Sequence, residues 1–326
     1  MHAIRQYELG GPEVLRYEEV KDLEPGEGQV RIAVDAIGVH FIDTSLRAGF
    51  TSAVHKPLEL PMTPGREVAG RIDFVGKGVD ESWLGERVVA HLGMASGGYA
   101  EQALAAVGSL HEIPQGMSYA TAVASIGTGR TTAGILDQAP IRADDIVLIT
   151  SAAGGIGVLL IQAVNEAGAT SVALAGGADK VAIAREQGAA MAVDYRIDGW
   201  DEIVRRKLGG NLATLVFDGV GGAPADAAFG LLAPGGRMMQ YGWHGEEPTT
   251  YDDPDRTVSM MLGPQMMARP GGIRSLEEEA LAKAGDGSRV PLVGSQYALS
   301  DAAAAHLDLV ERRTHGKVVL VPDARL

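Results

Sequence analysis

The chain has 326 residues, 46% of them apolar, with 44 glycines, no cysteine and a formal net charge of −14. That length and composition suit two globular domains with full cores, and the charge argues against nucleic acid or an anionic membrane as a bulk partner. No apolar run approaches the ~20 residues needed to span a bilayer, and the absence of cysteine removes disulfides and thiolate chemistry.

Met1 to Arg5 opens directly into strand-like sequence without a signal-peptide core, so a cytoplasmic protein is expected. Residues 15–20, 29–34, 68–75, 87–92 and 99–104 are short strand-like runs separated by Pro, Gly and Asp, with no long helical period between them. Such spacing predicts a small β-barrel-like domain. Residues 120–136 read as a helix pair interrupted near Gly127, Thr128 and Gly129. Ile146, Val147, Leu148 and Ile149 then read as a buried parallel strand.

That strand runs into Thr150-Ser151-Ala152-Ala153-Gly154-Gly155-Ile156-Gly157. From Ile156, apolar residues recur at helical spacing through Leu159, Leu160, Ala163, Val164 and Ala167 until Gly168 stops the pattern. Strand, glycine-rich turn and helix in that order predict a dinucleotide-binding unit. Gly154 lets the backbone approach a pyrophosphate and Gly157 lets the helix pack closely on the strand. The helix N-terminus then offers N–H groups to phosphate. Ala152 replaces the usual first glycine, so the plain GxGxxG pattern is not met, and the competing reading is a turn without a ligand.

Strands at 171–175, 190–194, 213–218 and 237–241 alternate with helices at 180–187, 200–208 and 223–232. This alternation predicts an α/β fold with a doubly wound parallel sheet. The strand at 316–322 has no place in it and is expected to return to the N-terminal domain. The expected division is 1–118 with 292–326 for one domain and 119–291 for the other.

Several segments carry a family resemblance. They are Gly10-Gly11-Pro12-Glu13-Val14-Leu15, Gly38-Val39-His40-Phe41-Ile42-Asp43-Thr44 and Pro64-Gly65-Arg66-Glu67-Val68-Ala69-Gly70. With them go the Ala152 turn, Asp218-Gly219-Val220-Gly221-Gly222, Pro234-Gly235-Gly236-Arg237 and His315-Gly316-Lys317-Val318-Val319-Leu320. Together they resemble medium-chain dehydrogenase/reductases, and more narrowly the zinc-free NADPH:quinone oxidoreductases. The resemblance spans nearly the whole chain. It implies a GroES-like β-barrel domain, an inserted Rossmann domain, an active site in the cleft between them, and a homodimer.

The resemblance also implies NADPH as cofactor. Contacts to it are expected from Phe41, Asp43 and Thr131, from Gly154, Gly155, Ile156 and Gly157 of the turn, and from Val220, Tyr241 and Gly242. Its 2′-phosphate is expected on Gly176, Lys180, Tyr195 and, more loosely, Arg312. The residues themselves agree: the stretch after the second strand, Ala175-Gly176-Gly177, holds none of the carboxylate an NAD enzyme usually places there. Asp179, beside Lys180, is the discordant residue.

Zinc members of the superfamily hold their metal with cysteine and histidine. Here there is no cysteine, and Arg66 stands where they have the histidine of Gly-His-Glu. His40 and Glu67 can be drawn as N and O ligands, but an arginine between them disfavours a cation, and the chain reads as metal-free. His40 stands where the family shows asparagine beside the nicotinamide. It is the candidate catalytic residue, donating a proton or a hydrogen bond to the substrate, unless it only fills that asparagine's space. Ser45 and Thr51 stand where related enzymes show tyrosines.

Trp243 follows the fifth strand at its carboxyl end, where ligands of such sheets bind. The methionine-rich run 258–267, including Met260, reads as a substrate wall or as core or subunit interface. The leading expectation is an NADPH-dependent reductase of quinones or related α,β-unsaturated carbonyls. The alternatives are a reductase of a specific enoyl or polyketide-like intermediate, and a cofactor-binding structural or regulatory protein without turnover.

Overall fold

Alternating burial builds the first long strand, whose Val30, Ile32 and Val34 point inward and whose last four residues are covered on both faces. The computed structural model describes residues 1–52, 56–93, 96–242, 248–261 and 263–325. They form two compact units, Met1–Gly129 with Glu277–Gly285 and Val290–Leu326, and Arg130–Leu276 with Asp286–Arg289. The first unit opens with β1 (His2–Gln6), β2 (Leu15–Glu19), β3 (Gln29–Val39), α1 (Phe41–Arg47) and β4 (Glu67–Val75). It continues through β5 (Arg87–His91), β6 (Gln102–Ala106), β7 (Leu110–Glu112) and α2 (Tyr119–Ala124).

The second unit carries α3 (Arg130–Gln138), β8 (Ile146–Ile149), α4 (Gly155–Glu166), β9 (Thr170–Ala175), α5 (Ala178–Glu186), β10 (Met191–Asp194) and α6 (Trp200–Lys207). After these come β11 (Ala213–Asp218), α7 (Gly222–Gly230), β12 (Leu232–Gln240), β13 (Thr257–Met260) and α8 (Gly263–Met267). The remaining elements are α9 (Gly272–Gly285), β14 (Val293–Ala298), α10 (Ala302–Val310) and β15 (Lys317–Val321).

In the first unit the main sheet has the order β14-β15-β3-β4-β5-β7, with β6 also on β3. The closing strand returns as expected: β15 runs antiparallel to β3, with Val318 opposite Val39 and Leu320 opposite Ile37. α2 packs into this unit, where Ala122, Val123 and Ile126 share a core with Ala36, Ala69 and Val89. That contact is why residues 119–129 group with the barrel sheet, although the sequence division placed them in the other domain.

In the second unit six parallel strands take the order β10-β9-β8-β11-β12-β13. In order of appearance this is the 3-2-1-4-5-6 arrangement of a doubly wound dinucleotide-binding sheet. α4 is apolar almost all round, and Leu160, Ile161 and Val164 lie in the core beneath β8 and β9. Two elements differ from the sequence expectation. β12 begins at Leu232 because Pro234, Gly235 and Gly236 are taken up where its register with β11 shifts. β13 is a sixth strand inside the region read only as methionine-rich. Its half-exposed Thr257-Val258-Ser259-Met260 makes it an edge strand on β12. Met261 and Met266 are buried in the core, the bland alternative for that run.

Candidate active site and cofactor cradle

The sheet reverses its winding between β8 and β11, and ligands of such sheets bind outside the strand ends at that point. The loops there are tied together. Thr150 Oγ1 donates to Asp218 Oδ1 at 2.7 Å and accepts from the Gly219 N–H at 2.9 Å. Asp218 also accepts from the Val220 and Gly221 N–H groups, while burial pushes its carboxyl up. Tyr241 Oη donates to the Thr150 carbonyl at 3.2 Å, its ring lying over Gly219.

Gly154 caps α4 in an extended conformation, and Gly155, Ile156 and Gly157 form the first turn, whose N–H groups lack intrahelical acceptors. A Cβ on Gly157 would come within 2.7 Å of Ala152 Cα, so the turn and helix meet backbone to backbone. Ala152 is tolerated in place of glycine because its methyl group is buried in the core and the left-handed residue is its neighbour, Ser151, at φ 51°. Gly242 approaches Gly219 somewhat less closely, its Cβ position being 3.0 Å from the Gly219 carbonyl oxygen. These backbone approaches leave no room for side chains, which is the close packing of turn, helix and strand that a dinucleotide-binding unit requires.

At the end of β9 the same holds. A Cβ on Gly176 would lie 2.9 Å from Tyr195 Oη, and Gly177 (φ 105°) lies under the Arg196 guanidinium. Asp194 ends β10 and accepts from the Gly177 and Arg196 N–H groups at 2.9 and 3.0 Å. Burial raises its carboxyl, but those N–H groups outweigh burial and hold it below the ordinary value. Lys180 lies in the first turn of α5. Gly176, Tyr195 and Lys180 therefore gather at one corner, and Arg196, not anticipated from sequence, joins them. Its signal was position alone, one residue beyond Tyr195.

In the first unit His40 is the N-cap of α1, and Phe41 follows it, exposed. Nε2 of His40 lies 2.5 Å from Glu67 Oε2, with Lys317 Nζ 2.8 Å from the ring nitrogen and 3.2 Å from the same oxygen. In the sequence Glu67 was weighed only as a metal ligand beside His40, and Lys317 stood in its motif without an assigned role. The zinc of related dehydrogenases does not fit here. Among the described residues no three His, Cys, Asp or Glu groups could hold a metal ion, and the Lys317 ammonium sits against the His40–Glu67 pair where a cation would be repelled.

Asp43 faces inward. It accepts from the His40 N–H at 2.9 Å, from Tyr99 Oη at 3.2 Å and from Arg66 at 3.4 Å. Tyr99 Oη is 3.0 Å from His306 Nε2, and Arg47 is 3.0 Å from His306 Nδ1. Arginine only donates, so Nδ1 accepts and Nε2 carries the proton, and the bonds run Arg47 to His306 to Tyr99 to Asp43. Burial lowers His306 from 6.5 to about 4. The folded state thus prefers the neutral ring. This stability is full above about pH 6.5 and is lost as pH falls toward 4, by about 3 kcal/mol. His306→Gln keeps both hydrogen bonds without a titrating group, so its denaturation midpoint is expected to fall less between pH 7 and 4.5. Parallel pH dependence would contradict this.

The remaining candidates lie on other elements. Thr131 is on α3, and Met260 is half-buried at the end of β13. Arg312, beyond α10, adopts a left-handed φ of 56° in the first unit, whereas Lys180 and Tyr195 belong to the second. Trp243 lies outside the described residues.

Comparison with known proteins agrees with this arrangement. Residues 26–115 match the alcohol dehydrogenase GroES-like domain, and residues 155–269 match the zinc-binding dehydrogenase family. A quinone oxidoreductase of Pseudomonas aeruginosa is 31% identical, covering 96% of this chain and 97% of that one. A 2-haloacrylate reductase from a Burkholderia species is also 31% identical, over 98% of each chain. The Escherichia coli quinone oxidoreductase, solved in complex with NADPH, superposes with a TM-score of 0.87 at 28% identity, covering 99% of this chain and all of that one. A mycobacterial protein complexed with NADPH gives 0.85 at 32% identity, with 99% of this chain and 100% of that one covered. With both family domains matched in order and a six-stranded sheet of dinucleotide-binding topology, the chain belongs to the quinone oxidoreductase-like family of medium-chain dehydrogenase/reductases.

Proposed function

We propose that this protein is a metal-independent reductase that uses NADPH to reduce quinones or related α,β-unsaturated carbonyl compounds. The observation that carries the cofactor choice is the corner after β9, where Gly176 and Gly177 replace a carboxylate and Tyr195, Arg196 and Lys180 gather. An acid there would grip ribose hydroxyls and repel a 2′-phosphate, whereas cations and a phenol favour it. The two NADPH-complexed relatives support the same choice. When bound, NADPH supplies the hydride. The protein's part is to hold it on Gly154, Gly155, Ile156 and Gly157, with Val220, Tyr241 and Gly242 completing the strand-end loops and Phe41, Asp43, Thr131 and Arg312 as further contacts. The relatives named quinone oxidoreductase support the substrate class, and the 2-haloacrylate reductase supports reduction of a conjugated carbon–carbon double bond.

Following NADPH oxidation by absorbance against quinones, enones and enoyl thioesters tests this reading. Turnover with simple quinones is the expected result. Turnover only with enones or thioesters would select the enoyl reductase, and tight binding without turnover would overturn the assignment. Dialysis against a chelator is expected to leave activity and melting temperature unchanged. Stoichiometric zinc, lost together with activity, would contradict metal independence. The same reading makes the protein a cytoplasmic homodimer, with the outer edge of β13 as the joining strand, which sedimentation in solution checks.

A further inference from the structure

Arg66 lines a cavity of about 500 Å³ within the first unit, a volume suited to a small ligand. Leu46, Leu58, Met62 and Pro64 supply apolar wall, and the charged groups facing it are Asp43, Arg47, Lys56, Glu59 and Arg66. Among the described residues, three cations against two carboxylates make this cavity positive in a chain whose net charge is −14. Lys56 and Glu59 are exposed, so water screens both. The character of the cavity is therefore set by Asp43, Arg47 and Arg66, which are withdrawn from solvent.

Arg47 is already committed, donating from Nε to the Gly10 carbonyl at 3.1 Å and from its guanidinium to His306. Asp43 is committed as well, accepting from the His40 N–H and from Tyr99 Oη on Oδ2. Arg66 differs. A guanidinium carries five N–H donors, and among the described residues Arg66 uses one, toward Asp43 Oδ1 at 3.4 Å. A structural pair in the same unit looks different, since Arg31 grips Asp73 with two bonds of 2.9 and 3.1 Å. The backbone of Arg66 is nonetheless fixed. Its carbonyl accepts from the Leu92 N–H at 2.7 Å, and Gly65 before it turns at φ 89° against the Tyr99 ring. A held arginine with donors left over, facing an apolar wall, is the arrangement that grips a carboxylate. Asp43, which meets Arg66, also holds the His40 N–H, so the cavity adjoins the corner where His40, Glu67 and Lys317 come together.

We propose that this cavity binds a carboxylate on Arg66, so that the preferred substrates are conjugated carbonyl compounds bearing an acid group. This rests on the reductase reading above, which it narrows. The apolar wall takes the carbon skeleton, while two guanidinium N–H groups take the two carboxylate oxygens. Asp43 orients the guanidinium. A neutral ester or amide fills the same space but leaves those donors without an anion. The acid group forms no covalent bond and is unchanged by the reduction.

With NADPH, a naphthoquinone carboxylic acid is expected to show a kcat/KM about ten- to a hundredfold above that of its methyl ester. In Arg66→Gln that ratio should collapse toward one, with the loss for the acid carried by KM. In Arg66→Lys it should fall only partway, since an ammonium attracts the acid but lacks the planar fork. Calorimetric titration of the NADPH-saturated protein reads the anchor without turnover, the bound cofactor keeping other anions off its own phosphate contacts. Benzoate should bind the wild type about tenfold or more tighter than benzamide, and Arg66→Gln should erase the difference. A wild-type acid-to-ester ratio near one, or a ratio that survives Arg66→Gln, overturns the proposal while leaving the reductase reading intact. The two wild-type comparisons decide the matter even where Arg66→Gln fails to fold. No turnover with any compound defeats the reductase reading first, and benzoate binding no better than benzamide then removes the carboxylate site on its own.

Discussion

Gly157→Val is expected to abolish NADPH binding, or folding itself. A Cβ at this position would lie 2.7 and 2.8 Å from the Cα and carbonyl carbon of Ala152, and it would also strike the Ser151 carbonyl oxygen. All three are backbone atoms of the turn, so no side chain can swing aside. α4 would have to move off β8, pulling Leu160, Ile161 and Val164 out of a core that includes Ile149 and Ala173. Overpacking of this kind costs about 1–3 kcal/mol or more. The same movement carries the first-turn N–H groups away from where phosphate would sit. Fluorescence titration with NADPH and a thermal melt are the measurements. A folded variant with wild-type affinity would remove the cradle from the binding site.

Lys180→Ala is expected to weaken NADPH much more than NADH. Losing one charge-assisted contact to the 2′-phosphate should cost about 1.5–3 kcal/mol, or roughly ten- to a hundredfold in affinity. NADH lacks that phosphate and should bind the variant nearly as it binds the wild type. Arg196, lying over Gly177, should act in the same direction. Calorimetric titration of both cofactors gives the ratio directly. Equal wild-type affinity for the two, or equal loss in the variant, would sink the assignment.

What could be read in advance was local. The run from Ile146 to Gly168 is legible because strand, turn and helix each announce themselves within a few residues, and β8 and α4 lie where their periodicities put them. The edge strand β13 was hidden because short, half-exposed strands alternate too weakly to stand out beside methionines. Glu67 and Lys317 were visible as residues but not as neighbours of His40. Only the pairing of β3 with β4 and β15 brings them together, with Ile37 opposite Val68 and Val39 opposite Val318. The bonds from Arg47 through His306 and Tyr99 to Asp43 were illegible for the same reason, since Arg47 and His306 stand 259 positions apart.

The pairing of β15 with β3 also sets a timetable for the newborn chain. The ribosome releases His40 277 residues before Lys317, an interval on the order of 15–60 s at about 5–20 residues per second. Throughout it, Ile37, Gly38 and Val39 lack the strand that finally covers them. Residues 130–276 are continuous and can settle while translation is still under way. The first sheet must keep one side open to stray strands until Lys317 to Val321 have emerged. A chaperone that shields a bare β-edge would be needed most in that interval, and a ribosome stalling just before Lys317 would leave a sound dinucleotide-binding fold joined to a sheet that cannot close.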